Sequence, residues 1–439
     1  MSCFIFINEM LLDHCKGVVL KLNVRKLGAL LLSFAIFLSV IVMPQPAYAA
    51  EKKGNKYPIV LCHGNAGWGR DEMLGYRYWG GLVDLQKKLT DAGYPTYTAA
   101  VGPFSSNWDR ACELYAYIKG GTVDYGEAHS KNHGHARYGK TFPGLYPEWG
   151  TETDGSLNKI HLIAHSQGGQ TGRMLIQLLE EGSEEEREVT KTGLSPLFEG
   201  GKPWVASLTT LASPHNGTTL ADVDIYKLKD FATYLISAAA AATGKGLEPV
   251  YDFKLDQWGL KRQSGESYTH YAKRVMKSSI WNGKVRDFSF WDLSTTGAAE
   301  QNAWVTAKDD VYYFSYATCA TTEQRLTGHQ IGKPLLMNPA LFAPAAVIGL
   351  YTRTGKEQPD IDRTWWCNDG IVNTISAKGP SVNSTDEIVD YDGTPQIGKW
   401  NYMGVKNLDH LAIVGIGKYN VTDLYLTIAK NVRRLPVVS

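Results

Sequence analysis

Short apolar runs alternate with segments of helical periodicity along the first half of the chain. The apolar runs cover residues 57–62, 159–164 and 204–212, and each is followed by Gly, Ser or Pro. Between the first two runs, residues 81–92 predict a helix that ends at Gly93, with Leu82, Leu85 and Leu89 on one face. Alternating strands and helices favour a mostly parallel sheet that is covered by helices, the α/β class.

The remaining pattern shows no boundary between domains. No repeat of 20–50 residues and no Gly/Ser-rich or Pro-rich linker interrupts residues 50–439, so we expect a single domain there. The charge run over residues 180–188 is typical of a solvated helix end or loop.

Residues 1–49 have the order of a secretory signal. Lys21, Arg25 and Lys26 precede an uncharged apolar run over residues 27–42, and Ala47-Tyr48-Ala49 forms a small-x-small cleavage site. The run is shorter than the roughly 20 residues that a membrane span needs. We therefore expect a secreted chain with no stable membrane anchor; an uncleaved anchor is the alternative. Residues 1–20 are unusual for a signal. A start codon assigned upstream of the true start codon would account for them.

Composition excludes several classes of protein. With 45 basic and 44 acidic side chains, the net charge of +1 gives no basic surplus for binding nucleic acid. The hydrophobic share of 44% and the charged share of 20% are those of a globular protein. Cys62, Cys112, Cys319 and Cys367 remain after the signal, without a Cys-x-x-Cys pair, so no disulfide framework is indicated and a single bridge stays open.

A nucleophile turn is the most informative local motif. His165-Ser166-Gln167-Gly168-Gly169 lies between an apolar strand at 160–164 and a helical segment at 171–180. A serine on such a turn is held above the sheet edge, and only small residues fit two positions to either side, here Ala164 and Gly168. A serine in an ordinary strand-to-helix turn is the alternative.

The other parts of a serine hydrolase site follow in the expected order. Asn65, after the first strand, and Gln167, after the serine, can each direct a backbone N–H at an oxyanion. Asp369 and then His410 follow Ser166 in the chain order nucleophile, acid, base. Because the chain has 11 histidines, order alone is weak evidence for His410.

Several longer motifs resemble a known family. Residues 164–170, 251–259 and 368–374, together with Trp79-Gly80-Gly81, closely resemble the secreted true lipases of the Bacillus, Geobacillus and Staphylococcus type. The resemblance covers about residues 57–435. It implies an α/β-hydrolase fold with Ser166 as nucleophile, Asp369 as orienting acid and His410 as base, and with Asn65 and Gln167 as oxyanion donors.

The chain departs from this family at Asn65, where the family has Phe. Any residue except proline keeps the N–H, so we expect the oxyanion hole to survive. The apolar wall that the Phe ring supplies is absent, which puts the acyl-chain preference in question.

Candidate metal ligands occur in one region of the chain. Asp109, His129 and His135, with His133 as a further donor, give only a weak metal pattern by themselves, because surface histidines are common. The lipase resemblance implies a zinc site of Asp109, His129, His135 and Asp287, and four protein ligands make such a zinc structural.

The family's calcium site fares differently. Its acidic ligands correspond to Ala412 and Gly417, which have no side-chain oxygen, so we expect no calcium there.

An amphipathic helix is predicted over residues 225–242. Its pattern alone favours a helix packed on the core, whereas its counterpart in the lipases is a lid over the acyl pocket. The leading hypothesis is a secreted triacylglycerol lipase that acts on lipid esters at an oil–water interface. A short-chain carboxylesterase or phospholipase is the alternative among hydrolases, and a catalytically silent lipid-binding protein is the alternative from another class.

Overall fold

The computed structural model describes residues 54–223, 251–355 and 359–437. The predicted signal (1–49) and the predicted lid helix (225–242) lie outside these residues. The strands described are β1 Ile59–Cys62, β2 Thr96–Ala99, β3 Gly121–Asp124, β4 Tyr138–Phe142, β5 Glu152–Thr153, β6 Ser156–Leu157, β7 Ile160–His165, β8 Val205–Leu211, β9 Tyr312–Thr318, β10 Thr321–Glu323, β11 Gln330–Gly332, β12 Ile388–Asp390 and β13 Trp400–Lys406.

The helices described are α1 Leu85–Asp91, α2 Asn107–Lys119, α3 Glu127–His133, α4 Gln167–Glu181, α5 Glu184–Val189, α6 Thr219–Val223, α7 Tyr268–Met276, α8 Ser289–Asp292, α9 Thr295–Asn302, α10 Phe342–Ile348 and α11 Thr422–Arg433. None of these helices is both long and apolar enough to span a membrane.

Seven parallel strands form the central sheet, in the order β12-β13-β9-β8-β7-β1-β2. Successive residues of a strand point to opposite faces, so Ile59 and Leu61 enter one apolar core while Val60 and Cys62 enter the other. Helices α1 and α11 cover the first core, and α2 and α4 cover the second. The predicted mostly parallel sheet flanked by helices is confirmed, and Gly54–Ser439 gather into one unit.

Strand order reverses between β1 and β7. The chain continues from β1 to β2 on one side and from β7 to β8 on the other. Loops that leave two neighbouring parallel strands in opposite directions open a crevice at their carboxyl ends, which is the usual ligand position in open α/β sheets. The loop with Asn65 and the turn with Ser166 both leave this point.

Two local expectations need correction. Helix α1 begins only at Leu85, because the side chain of Asp84 accepts a hydrogen bond from Lys87 N and caps the helix there. Leu82 therefore lies outside the helix and is 89% exposed. In the acidic run, Glu186 is buried rather than solvated, and its carboxylate accepts the N–H groups of Ala128 and His129 at the start of α3.

One disulfide bridge is present among the described residues. It joins Cys319, directly after β9, to Cys367, with the two Cα atoms 6.3 Å apart. Cys62 and Cys112 are free and buried. The sequence left one bridge open, and the fold selects this pair because the loop before Asp369 runs beside the end of β9.

Candidate active site and metal-binding group

Ser166 occupies a strained turn between β7 and α4. Its backbone has φ 56° and ψ −132°, a left-handed region that non-glycine residues rarely adopt. A Cβ atom at Gly168 would lie 2.4 Å from the carbonyl oxygen of Cys62, so only glycine fits where the turn passes β1. Ala164 is fully buried at the other small position. The chain folds this way because small residues flank the serine.

The structure brings Ser166, His410 and Asp369 together. The Nε2 atom of His410 lies 3.0 Å from the Oγ atom of Ser166, and its Nδ1 atom lies 2.9 Å from Oδ2 of Asp369. His410 follows β13, Asp369 lies on a loop beside the end of β9, and all three residues are buried. This geometry allows a histidine to accept the serine proton while a carboxylate fixes its tautomer.

Four hydrogen bonds orient the Asp369 carboxylate. Oδ1 accepts the N–H groups of Ile371 and Val372 at 3.0 and 2.8 Å. Oδ2 accepts the hydroxyl of Thr318 at 2.6 Å, besides its bond with His410. Sequence reasoning missed Thr318, since a threonine that ends a strand carries no motif of its own.

The two expected oxyanion donors lie beside the serine. Gln167 is the first residue of α4, where a backbone N–H has no intrahelical partner. In the part of the chain that the structure describes, no protein oxygen accepts the N–H of Asn65. Gly64 approaches the nucleophile so closely that a Cβ there would lie 2.5 Å from Cβ of Ser166. Neither N–H group has a backbone acceptor among the described residues, so both remain available to a ligand near the nucleophile.

Arg110, which sequence reasoning also missed, holds the oxyanion loop, the segment His63-Gly64-Asn65 that follows β1. Its fully buried guanidinium donates to the carbonyl oxygens of His63 and Gly102 and to the hydroxyl of Thr171 on α4. One side chain thus links the oxyanion loop to the helix that follows the nucleophile. An isolated arginine in a helix gives no sequence signal for this role.

The side chain of Asn65 takes part in a polar network. Its Nδ2 atom donates to Oγ of Ser289 at 2.9 Å and to the carbonyl oxygen of Pro103 at 3.1 Å. It also lies 3.4 Å from Oε1 of Gln167, the residue with the other oxyanion N–H. The amide therefore ties the two donor segments together, which the Phe of the resembling lipases cannot do.

A second group of side chains could hold a metal ion. Asp109, His129, His135 and Asp287 each offer one ligand atom, and these atoms all lie within 4.8 Å of one another. Four of the contacts between them measure 3.1, 3.2, 3.3 and 3.8 Å. An ion bound tetrahedrally at about 2.0 Å would separate its ligand atoms by about 3.3 Å.

The chemistry of the four residues also fits a metal ion. One potential ligand atom of each is buried without a hydrogen-bond partner: Asp109 Oδ1, His129 Nε2, His135 Nε2 and Asp287 Oδ2. Two of the remaining atoms have partners, since Nδ1 of His135 contacts the Ala136 carbonyl and Oδ2 of Asp109 accepts from Gln257. Such partners fix the orientation of metal ligands.

Neighbouring groups set the electrostatics of the cluster. Burial disfavours a charge on His129, but its contacts with Asp109 and Asp287 outweigh burial and raise its pKa to about 10. Trp108 stacks on the His129 ring at 4.9 Å. His133, the further donor considered from sequence, is exposed and lies outside the cluster, with its ring against His129.

The segment after His410 contains Ala412 and Gly417. Ala412 is buried at the start of a short 3-10 turn, Ala412–Val414. The Asp409 carboxylate accepts three backbone N–H groups, those of Asn338, Leu411 and Ala412. The expectation that calcium does not bind here stays a prediction.

The strand order and the serine elbow define an α/β-hydrolase. Residues 55–429 match the family described as "Lipase-like, C-terminal domain", and the chain belongs to this family. A lipase of Staphylococcus epidermidis is 38% identical over 372 residues, which cover 82% of this chain and 50% of that protein.

Two solved structures are similar over most of both chains. EstA from Clostridium botulinum superposes with a TM-score of 0.83 at 51% identity and covers 89% of this chain and 90% of its own. Lipase 1 from Pelosinus fermentans gives a TM-score of 0.81 at 56% identity, covering 87% of this chain and all of its own. The chain spans about half the length of the curated relatives it matches.

Proposed function

We propose that this protein is a secreted triacylglycerol lipase that hydrolyses the ester bonds of lipids at an oil–water interface. The observation that carries the proposal is the hydrogen-bonded series of Ser166, His410 and Asp369 at the carboxyl edge of the sheet. Relatives named lipases at 38% and 56% identity support the reaction class. Secretion rests on the signal pattern of residues 1–49.

In the first half of the reaction, Ser166 attacks the ester carbonyl. Nε2 of His410 accepts the proton from Oγ as the new C–O bond forms, and Asp369 stabilises the resulting imidazolium. The negative charge moves to the former carbonyl oxygen, where the N–H groups of Asn65 and Gln167 receive it. One such donor is worth about 3 kcal/mol in the transition state.

To complete the first half, His410 gives its proton to the departing alcohol, which leaves an acyl group on Ser166. The second half releases the acid. Water then enters, His410 removes a proton from it, and the same two N–H groups hold the second oxyanion. The free fatty acid leaves and Ser166 regains its proton.

We assign the Asp109, His129, His135 and Asp287 group to a structural zinc ion. Two imidazoles and two carboxylates at these distances suit tetrahedral Zn²⁺, and four protein ligands leave no position for a reactive water. Bound there, the ion would supply cross-linking of α2, α3 and the segment before α8, and no step of ester hydrolysis would pass through it.

Labelling and mutation of the nucleophile test the assignment. A diethyl phosphoryl ester should modify the protein once, on the peptide that contains Ser166, and Ser166→Ala should abolish both labelling and hydrolysis. Ser213→Ala is a matched control, because Ser213 is a buried serine near the elbow whose hydroxyl has no hydrogen-bond partner among the described residues. A Ser166→Ala variant that keeps more than about a tenth of the rate would contradict the proposal.

Substrate profiles separate the proposed lipase from its alternatives. We expect hydrolysis of emulsified triglyceride as well as of p-nitrophenyl esters from short to long acyl chains. Activity confined to short soluble esters would indicate a carboxylesterase, and labelling without turnover of any ester would indicate a silent lipid-binding protein. The N-terminal residue of the exported chain, measured by mass spectrometry, tests cleavage after Ala49.

A further inference from the structure

A buried chain of hydrogen bonds connects the oxyanion loop to the segment that carries His410. The N–H of Gly64 donates to the hydroxyl oxygen of Tyr78 at 3.0 Å, and that hydroxyl lies 2.6 Å from Nδ1 of His165. Nε2 of His165 lies 3.0 Å from the carbonyl oxygen of His410. Tyr78 and His165 are 6% and 1% exposed, so water does not compete for these groups.

The donors and acceptors in this series allow only one arrangement of hydrogen atoms. A carbonyl oxygen can only accept, so Nε2 of His165 must carry a hydrogen and donate it to His410. Burial, with the nearby His410 as a further cause, holds the pKa of His165 well below its ordinary value, so the ring is neutral and Nδ1 has a lone pair. The Tyr78 hydroxyl therefore donates to His165, and its oxygen is free to accept from Gly64.

We propose that Tyr78 and His165 are positioning residues that hold the oxyanion loop and the main chain of His410 at one fixed separation across Ser166. This inference rests on the proposed function of the triad. His165 directly precedes Ser166, and its ring lies 4.5 Å from that of His410. The series of hydrogen bonds therefore passes directly beside the nucleophile. Every polar side-chain atom of Tyr78 and His165 makes one of these hydrogen bonds. Residues that only filled space in the core would not need them.

The consequence is a role in turnover rather than in substrate binding. Neither side chain supplies a group that moves in the reaction. Without the hydrogen bonds of Tyr78 and His165, the N–H of Asn65 and the imidazole of His410 could each move by a fraction of an ångström. Displacements of this size act on the transition state more than on the bound substrate.

Tyr78→Phe is the primary test, because it removes only the hydroxyl. We expect kcat on a soluble ester to fall about tenfold while KM changes by less than about twofold. The matched control is Tyr313→Phe. Tyr313 is also fully buried, and its hydroxyl also accepts a backbone N–H, that of Lys308 at 2.9 Å, but it has no bond to the triad. The control should lose comparable thermal stability and keep its kcat.

Two substitutions of the histidine add an independent readout. His165→Gln keeps a side-chain donor with the reach of Nε2, whereas His165→Leu has a similar volume and no donor, so the first should retain more kcat than the second. In protein labelled with ¹⁵N-histidine, the wild type should show a neutral Nε2–H signal that His165→Gln removes and Tyr78→Phe shifts.

Each outcome bears on the positioning role. Equal kcat losses in Tyr78→Phe and Tyr313→Phe, a kcat unchanged by Tyr78→Phe, or equal losses in the Gln and Leu variants would overturn it. A rise in KM with kcat unchanged would overturn it as well. Failure of the triad itself is distinguished by Ser166→Ala, since residual activity there refutes the proposed function whatever the Tyr78 variant does.

Discussion

Replacement of Asp369 by Asn tests whether a single carboxylate sets the tautomer of His410. Backbone N–H groups of Ile371 and Val372 point at Oδ1, while the Thr318 hydroxyl and Nδ1 of His410 point at Oδ2. An asparagine has one acceptor oxygen and one NH₂ group. Its NH₂ cannot take the Oδ1 position, where it would face two donors that cannot turn away.

The amide of an Asp369→Asn variant is therefore forced into one orientation. Its oxygen stays with the two backbone N–H groups, and its NH₂ faces His410 and Thr318. The Thr318 hydroxyl can rotate to accept, but Nδ1 of His410 can accept only if the ring proton moves to Nε2. In that tautomer Nε2 cannot take the proton of Ser166, so we expect kcat to fall by about four orders of magnitude. The free energy of unfolding should change by only about 1 kcal/mol, because hydrogen bonding is largely retained.

The assay is kcat on a soluble p-nitrophenyl ester, with thermal unfolding of the same samples. Asp386→Asn is the matched control, since the Asp386 carboxylate accepts the N–H of Ala307 and Nε1 of Trp400 and has no bond to the triad. The control should keep its activity, although it should lose stability because its NH₂ must face one of two fixed donors. If kcat of a folded Asp369→Asn variant falls by less than about tenfold, the amide is not held in this single orientation, and another acid must orient His410.

Further predictions concern the metal group, the oxyanion loop and the disulfide. Chelation should lower the unfolding temperature, and added zinc but not calcium should restore it; elemental analysis should find one zinc per chain. Because protons compete with the ion for His129 and His135, zinc affinity should fall as the pH is lowered, which titration of zinc release would measure. Asn65→Ala removes the polar network of this side chain, so it should cost about 1–3 kcal/mol of stability and lower kcat. Asn65→Phe should shift the preference for acyl-chain length. An unchanged preference would show that residue 65 does not line the acyl pocket. Replacing Cys319 and Cys367 by Ser opens a loop of 48 residues and should cost about 4 kcal/mol in chemical denaturation.

The features that the sequence predicted well are those encoded locally. The strand, the strained serine and the helix follow one another within residues 160–181, so small residues at 164 and 168 suffice to indicate the turn. The predicted strands lie within two residues of those observed. Helix α1 begins four residues later than predicted, because the Asp84 cap decides where a helix begins more strongly than the spacing of three leucines.

The missed features depend on partners that are distant in the chain. Thr318 acts through Asp369, 51 residues away, and Arg110 reaches Thr171, 61 residues away. No spacing rule connects such pairs; they meet only because distant elements pack together in the fold. The bridge of Cys319 with Cys367 and the burial of Glu186 have the same origin, since each is decided by which loop passes beside which element.

The cap that Glu186 places on α3 bears on how a metal ion is loaded. Its two carboxylate oxygens accept the N–H groups of Ala128 and His129 at 3.0 and 2.7 Å, bonds that need no metal. Helix α3 is therefore held by contacts that do not involve an ion, and Trp108 stacks on the His129 ring. An ion entering such a site has little chain ordering to perform, unlike an ion that folds its own domain. Binding of an ion to these four ligands should therefore require little refolding of the protein around them.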